Sequence, residues 1–253
     1  MKNFNEILKV CNNLLNEHSL AVKAKEYLDS RIKDDEIKNQ FGYFPSSENL
    51  NIITDYIKED DLIKNNLLYY KYIDDTISYR KNKICILDKH NLIMPYYDVY
   101  GNIVSLVGRS LLNDKDRKEL GIDKYKNTTF EKRNHLFGLN VAKKEIINKD
   151  CVYVVEGQFD QLKCYENGLK NVVAVGSCNL SFQQLSLISR YTRNINIMFD
   201  NDDGGRAGNQ RIKNKFGNYR QFKFNFIEIP NMYKDIDELI NQEGIEYFNN
   251  NVI

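Results

Sequence analysis

Four short apolar runs, CVYVV, NVVAV, NINIMF and FKFNFIEI, fall between residues 151 and 230, with polar stretches of helical character between them. Parallel strands cannot be joined by a tight turn and need a crossover, which a helix supplies. Strand–helix alternation therefore predicts a parallel sheet with helices on its faces. The first strand is expected to end at Glu156, the third at Asp200 and the fourth at Pro230. QFDQLKCYENG reads as a helix stopped by Gly168, SFQQLSLISRY as a helix capped by Ser181, and GGRAGNQRIKNKFG as a third helix.

The preceding half has a different rhythm. Residues 4 to about 70 read as helical. In VKAKEYLDSR, Val22, Tyr27 and Leu28 mark one face and Ser19 is the expected N-cap. FGYFPSS interrupts through Gly42 and Pro45, a helix resumes at Glu48, and a short one follows near Asp60. From about residue 84, KICIL, NLIMPYYD and NIVSLVGR read as a small antiparallel region, and LFGLNVAKKEI as a closing helix. The expected class is α/β. An α+β N-terminal subdomain, residues 1–148, precedes a Rossmann-like parallel sheet with flanking helices, residues 149–253. A chain of 253 residues has ample length for both cores.

The segment FDNDDGGR crowds Asp200, Asp202 and Asp203 into four positions at the end of an apolar run. Asp and Gly are turn formers, so a solvated turn is one reading. An EF-hand loop is excluded: counted from Asp200, its fifth position is Gly204 and its twelfth, which needs a glutamate, is Arg211. The third reading is a divalent-cation site for phosphate chemistry. Ligands of such sheets sit beyond the carboxyl ends of the strands. Glu156, Asp200 with Asp202, and Asp235 with Asp237 lie after three different strands, and Asp160 sits one helical turn past Glu156. Carboxylates packed there without cations would repel, whereas Mg²⁺ or Mn²⁺ takes oxygen donors of this kind. Gly157, Gly204 and Gly205 leave room for a backbone to approach a phosphate.

Charge is unevenly spread although the net is only +1. Residues 109–144 carry ten Lys/Arg against five Asp/Glu, and residues 190–223 eight against three, while residues 1–76 and 224–253 are net acidic. Basic stretches beside acidic ones suit a polyanion track next to a metal site; an ordinary charged surface is the plainer alternative. The five cysteines form no C-x-x-C pair, and the three histidines show no metal spacing, so no zinc site is expected and a reducing compartment is. No apolar run reaches membrane-span length, and the N-terminus does not read as a signal peptide. The expected location is the cytoplasm, that of the host if the chain is viral.

Glu-Gly-x-x-Asp at 156–160, Asp-x-Asp-x-x-Gly at 200–205 and Asp-x-Asp at 235–237 resemble the TOPRIM domain of primases, topoisomerases and some nucleases. NLIMPYYDVYGNIVSLVGRSL, KYKNTTFEKRNHLFGLNVAKK and AKEYLDSRIKDDEIKNQFGYFPSS are similar to successive segments of the DnaG-type primase catalytic core. The resemblance runs from about residue 10 to about 245. It implies a DNA-dependent RNA polymerase that makes short primers on single-stranded DNA from ribonucleoside triphosphates. Glu156, Asp200, Asp202, Asp235 and Asp237 would bind two or more Mg²⁺ or Mn²⁺ ions. Glu156, Asp200 and Asp202 would be catalytic, with Asp160, Gly157 and Gly205 in support. Arg109, Lys124, Lys132 and Arg206 would hold template or nucleotide phosphates. Tyr125 and Asn127 read more simply as core and capping residues.

Two parts common in the family have no counterpart in the sequence, the zinc-binding module and the helicase-binding domain. The expectation is a stripped catalytic core that works with a replicative helicase or a separate zinc-binding protein. Lys89, His90 and Asn91 stand where the family often has more arginine. The rival readings are a TOPRIM nuclease using water as nucleophile, which has no need of the upstream motifs, and a non-catalytic single-strand-binding accessory, for which an acidic cluster is unfavourable.

Overall fold

The computed structural model describes residues 3–75 and 78–252. They divide into two compact units, one of residues 1–96 with 103–130 and the other of residues 97–102 with 131–253. This geometric division falls ahead of residue 148 because residues 136–146 contribute Leu136, Leu139, Ala142 and Ile146 to the second unit's core.

The first unit opens with α1 (Phe4–Glu17), α2 (Val22–Arg31) and α3 (Asp35–Lys38). Phe4, Ile7, Cys11, Leu14 and Leu15 recur at helical spacing on α1 and are buried. Each such apolar side chain contributes about 1.5–3 kcal/mol on leaving water. Ser19 does not cap α2. It lies in a short 3₁₀ turn capped by His18, whose Nδ1 accepts from the Leu20 amide, and α2 follows without a side-chain cap. Val22 is exposed, and Ala24 and Leu28 make the buried face instead. Then come β1 (Gly42–Tyr43), α4 (Asn51–Thr54) and α5 (Glu59–Lys64). The helical character expected to about residue 70 ends at Lys64, because LYYKYIDD is β2 (Leu68–Asp75), a hairpin partner of β3 (Ser78–Cys85). Tyr-rich alternation is a strand signal, and the interspersed Lys and Asp disguise it.

A second antiparallel sheet has the order β1, β4 (Leu92–Tyr97), β5 (Ile103–Arg109), β6 (Tyr125–Asn127), with α6 (Asp114–Glu119) between the last two. Pro95 is tolerated in β4 because β1 pairs only with Leu92 and Ile93.

The second unit contains α7 (Leu139–Lys149), β7 (Val152–Val155), α8 (Gln158–Glu166), β8 (Val172–Ala174), α9 (Phe182–Ile188), β9 (Asn194–Ile197), α10 (Asp203–Phe216), β10 (Lys223–Phe226) and α11 (Ile236–Asn251). The four strands are parallel in the order β10-β9-β7-β8, which is the expected α/β class. Ser181 caps α9 as expected and forms a reciprocal capping box with Gln184. The chain goes from β7 outward to β8, then crosses back to β9 on the other side of β7. The crevice between the ends of β7 and β9 is thus the point where winding reverses, and ligands of doubly wound sheets settle there.

Candidate functional site

Glu156 and Asp200 stand on either side of that crevice, just beyond β7 and β9. The Glu156 carboxylate is held at both oxygens. Its Oε1 accepts from the Asp200 amide at 3.2 Å, and its Oε2 accepts from the Cys178 thiol at 2.8 Å. Burial, the largest influence, keeps the Glu156 carboxyl above its ordinary range. Asp200 is pushed up to about 8, first by burial and then by the charges of Asp160, Glu156, Asp235 and Asp202. Those four carboxylates come from the starts of three helices, α8, α10 and α11, so the fold does gather them around Asp200. The Cys178 thiol is itself driven up to about 12, by burial first and then by Glu156, and it stays protonated as a donor. Nothing in the sequence signalled this contact, which joins residues 22 apart in the chain.

Three of the gathered aspartates also cap helices. Asp202 is the N-cap of α10 and accepts from the Gly205 amide at 2.9 Å. Asp235 is the N-cap of α11 and accepts from the Glu238 amide at 2.8 Å. Asp160, in the first turn of α8, accepts from the Gly157 amide at 3.0 Å. An aspartate cap satisfies an otherwise unpaired amide and places negative charge at the positive end of the helix dipole. These caps offset part of the repulsion among the clustered carboxylates. The cap bonds of Asp202 and Asp235 each engage Oδ1, so the same carboxylates that cap α10 and α11 can also present oxygen to a cation.

Asp237 lies deeper. It is buried, accepts from the Asn241 side chain at 3.2 Å, and with Asp160 raises the thiol of Cys164, for which burial is the larger cause. Gly205 is required by packing: a Cβ there would stand 1.9 Å from the Asp200 carbonyl oxygen. Its use is close approach of α10 to the Asp200 backbone, a constraint internal to the fold. Gly157 meets only the Asp160 carboxylate. Arg206 is exposed and paired with Asp203 at 2.7 Å, with a second bond to Asn201 at 3.3 Å.

The remaining basic candidates are split between the two units. In the first, Arg109 ends β5 and its guanidinium lies between two rings, 4.9 Å from Tyr27 and 5.1 Å from Tyr125. Such stacking fixes a guanidinium while leaving it charged. Exposed Lys124 lies 5.9 Å from the same Tyr125 ring. In the second unit, Lys132 is half-buried, which lowers its pKa, and its Nζ donates to the Gly176 carbonyl at 2.8 Å. The Gly176 amide in turn donates to the Glu156 carbonyl, so Lys132 borders the acidic rim.

The donor set at the rim is all oxygen, which fits Mg²⁺ or Mn²⁺. The elevated Asp200 carboxyl fits as well, since a dication would relieve the repulsion that adds to burial in raising it. Among the described residues no three His, Cys, Asp or Glu side chains already form a closed ion-binding cluster.

Residues 11–143 match the family model for the DNA primase catalytic core, N-terminal domain, and residues 153–240 match a Toprim-like model. The DNA primase of Aquifex aeolicus is 33% identical over 186 residues, 73% of this chain and 36% of the relative. The primase of Clostridium acetobutylicum is 30% identical over 231 residues, 89% of this chain and again 36% of the relative. The chain thus spans about a third of the length of these relatives. Among solved structures, the zinc-binding and RNA polymerase domains of the Aquifex primase superpose with a TM-score of 0.74 at 27% identity, covering 95% of this chain and 58% of that one.

Proposed function

Since the chain belongs to the DNA primase catalytic-core family, we propose that it synthesises short RNA primers on single-stranded DNA, and that the acidic rim between β7 and β9 is the site of nucleotidyl transfer. The observation that carries the reading is the cluster itself: Asp160, Glu156, Asp235 and Asp202 around a buried Asp200 whose pKa they help raise to about 8. Glu156, Asp200, Asp202 and Asp235 would hold Mg²⁺ or Mn²⁺, with Asp237 behind them and Asp160 in support. Bound divalent ions would orient a triphosphate, neutralise its charge and acidify an attacking 3′-hydroxyl.

The chain's own residues have distinct tasks in this reading. Cys178 and the Asp200 amide fix the Glu156 carboxylate in one orientation. The caps of α8, α10 and α11 fix three more carboxylates at the rim. Lys132 and Arg206 place positive charge beside it for a triphosphate or primer strand. Arg109 and Lys124, on the other unit, would grip template phosphates, Arg109 held by its two tyrosines. One structure of a DnaG primase catalytic domain is of a complex with single-stranded DNA, which supports that substrate class for this chain. A helicase or a zinc-binding protein is a further proposed partner. Among the described residues no helix is long and apolar enough to cross a membrane.

Incubation with labelled ribonucleoside triphosphates, Mn²⁺ or Mg²⁺ and single-stranded DNA tests the reading. Short RNA is expected. Shortened DNA would point to a nuclease, and bound but unaltered DNA to an accessory.

A further inference from the structure

Residues 167–199 and 204–227 contain nine Lys/Arg and no Asp or Glu. In a chain with 36 basic and 35 acidic residues, two long acid-free segments concentrate positive charge on the elements they build. These segments build α9, β9, α10 and β10, and they flank the acidic loop at 200–203.

At the far end of α10 from that loop the cations are mixed with aromatic rings. Phe182 at the start of α9 packs edge-on against Phe216 at 5.1 Å and Tyr219 at 6.5 Å. The ring series continues through Phe224 to Phe222, with centroids about 6 Å apart. Lys215 sits 4.4 Å from the Phe182 ring and Arg193 5.2 Å from Phe222. Phe182 is 53% exposed and Tyr219 38% exposed. The turn carrying Tyr219 and exposed Arg220 is held by bonds from the Tyr219 amide to Phe216 and from the Phe222 amide to Tyr219. Lys223 stands exposed at the start of β10.

Asp150 is bonded to Thr192 and Asn194 beside Arg193, on the β9 side of the series, while Phe182, Tyr219, Arg220 and Lys223 belong to the acid-free segments. Exposed rings set among cations in this way are what a single nucleic-acid strand needs. Bases stack on the ring faces while the phosphates meet the charges, without regard to sequence. An acidic protein would be served by the charges but would not call for exposed aromatics, and duplex DNA hides its base faces. We propose that the end of α10, with Phe182, Tyr219, Arg220 and Lys223, is a second contact for single-stranded nucleic acid, separate from the acidic rim. A 14-residue helix spans about 21 Å, so only a strand long enough to leave the rim would reach it. The inference rests on the primase reading only for the source of the strand.

The test is binding of fluorescent oligothymidylates, one short enough to fill the rim alone and one several times longer, to the full chain. The variants are Phe182→Ala with Tyr219→Ala, and Arg220→Glu with Lys223→Glu. The ring pair should weaken the long strand by about tenfold or more, given the worth of base–aromatic stacking. The charge pair should lower the salt slope on the long strand by about 0.7 for each phosphate that no longer meets a cation. Short-strand binding and primer synthesis on short template should be unchanged, which also shows that the variants fold. Unaltered long-strand affinity in both pairs would overturn the proposal, and so would equal losses on both lengths or an equal loss on duplex. Asp200→Asn separates the two readings: if that protein makes primers, the proposed function fails, while the length-dependent effect of the patch is measured without synthesis.

Discussion

Asp200 is where the cost of the site's charge is concentrated. Its folded pKa of about 8 lies above the unfolded carboxylate value of roughly 4. Between those pH values the folded chain keeps a proton that the unfolded chain has released. This residue's contribution to stability is therefore fully present below about pH 4 and is lost as pH rises to about 8. In EDTA, the difference in melting temperature between the wild type and Asp200→Asn should widen in the variant's favour from pH 5 to pH 8. A difference that stays constant with pH would place the raised carboxyl elsewhere. Because proton and cation compete for the same group, Mn²⁺ affinity should climb over the same window. At Gly205, alanine would set a methyl against the Asp200 carbonyl. Gly205→Ala should cost about 1–3 kcal/mol in denaturant unfolding, as overpacking does, and should weaken Mn²⁺ binding by shifting Asp200. Full retention of both would show that α10 can move aside freely.

At the level of elements, the caps allow structure and function to be separated. Asparagine caps a helix about as well as aspartate, whereas alanine costs about 1 kcal/mol. Asp202→Asn and Asp235→Asn should therefore keep nearly wild-type melting temperatures yet lose Mn²⁺ affinity in titration calorimetry. The alanine variants should lose both. Asparagine variants that bind Mn²⁺ normally would mean these aspartates are caps and nothing more. The parallel sheet, its helices and the Ser181 cap were legible in the sequence because apolar period and capping chemistry are local signals. So was the gathering of carboxylates, since strand ends share one rim. The β2–β3 hairpin was missed because charged residues broke its apolar alternation. The Cys178–Glu156 bond and the packing need at Gly205 were invisible because they depend on how separate loops meet. The bond from Lys132 Nζ to the Gly176 carbonyl beside β8 joins residues 44 apart and had no local signal either.

For the whole molecule, the proposal divides the work between two units: carboxylates with Lys132 and Arg206 in one, Arg109 and Lys124 in the other. Arg109→Ala and Lys124→Ala should each lower the salt slope of single-strand binding by about 0.7 and leave Mn²⁺ affinity untouched. A slope unchanged in both would remove these residues from the template track. The claim on which the account depends is that the rim between β7 and β9 performs the chemistry while template is held elsewhere. RNA yield on single-stranded DNA at saturating Mn²⁺ measures it most directly, with wild type and Asp200→Asn/Asp202→Asn compared at equal template occupancy. The account predicts short RNA from the wild type and none above background from the double variant. Equal RNA from both proteins would contradict it.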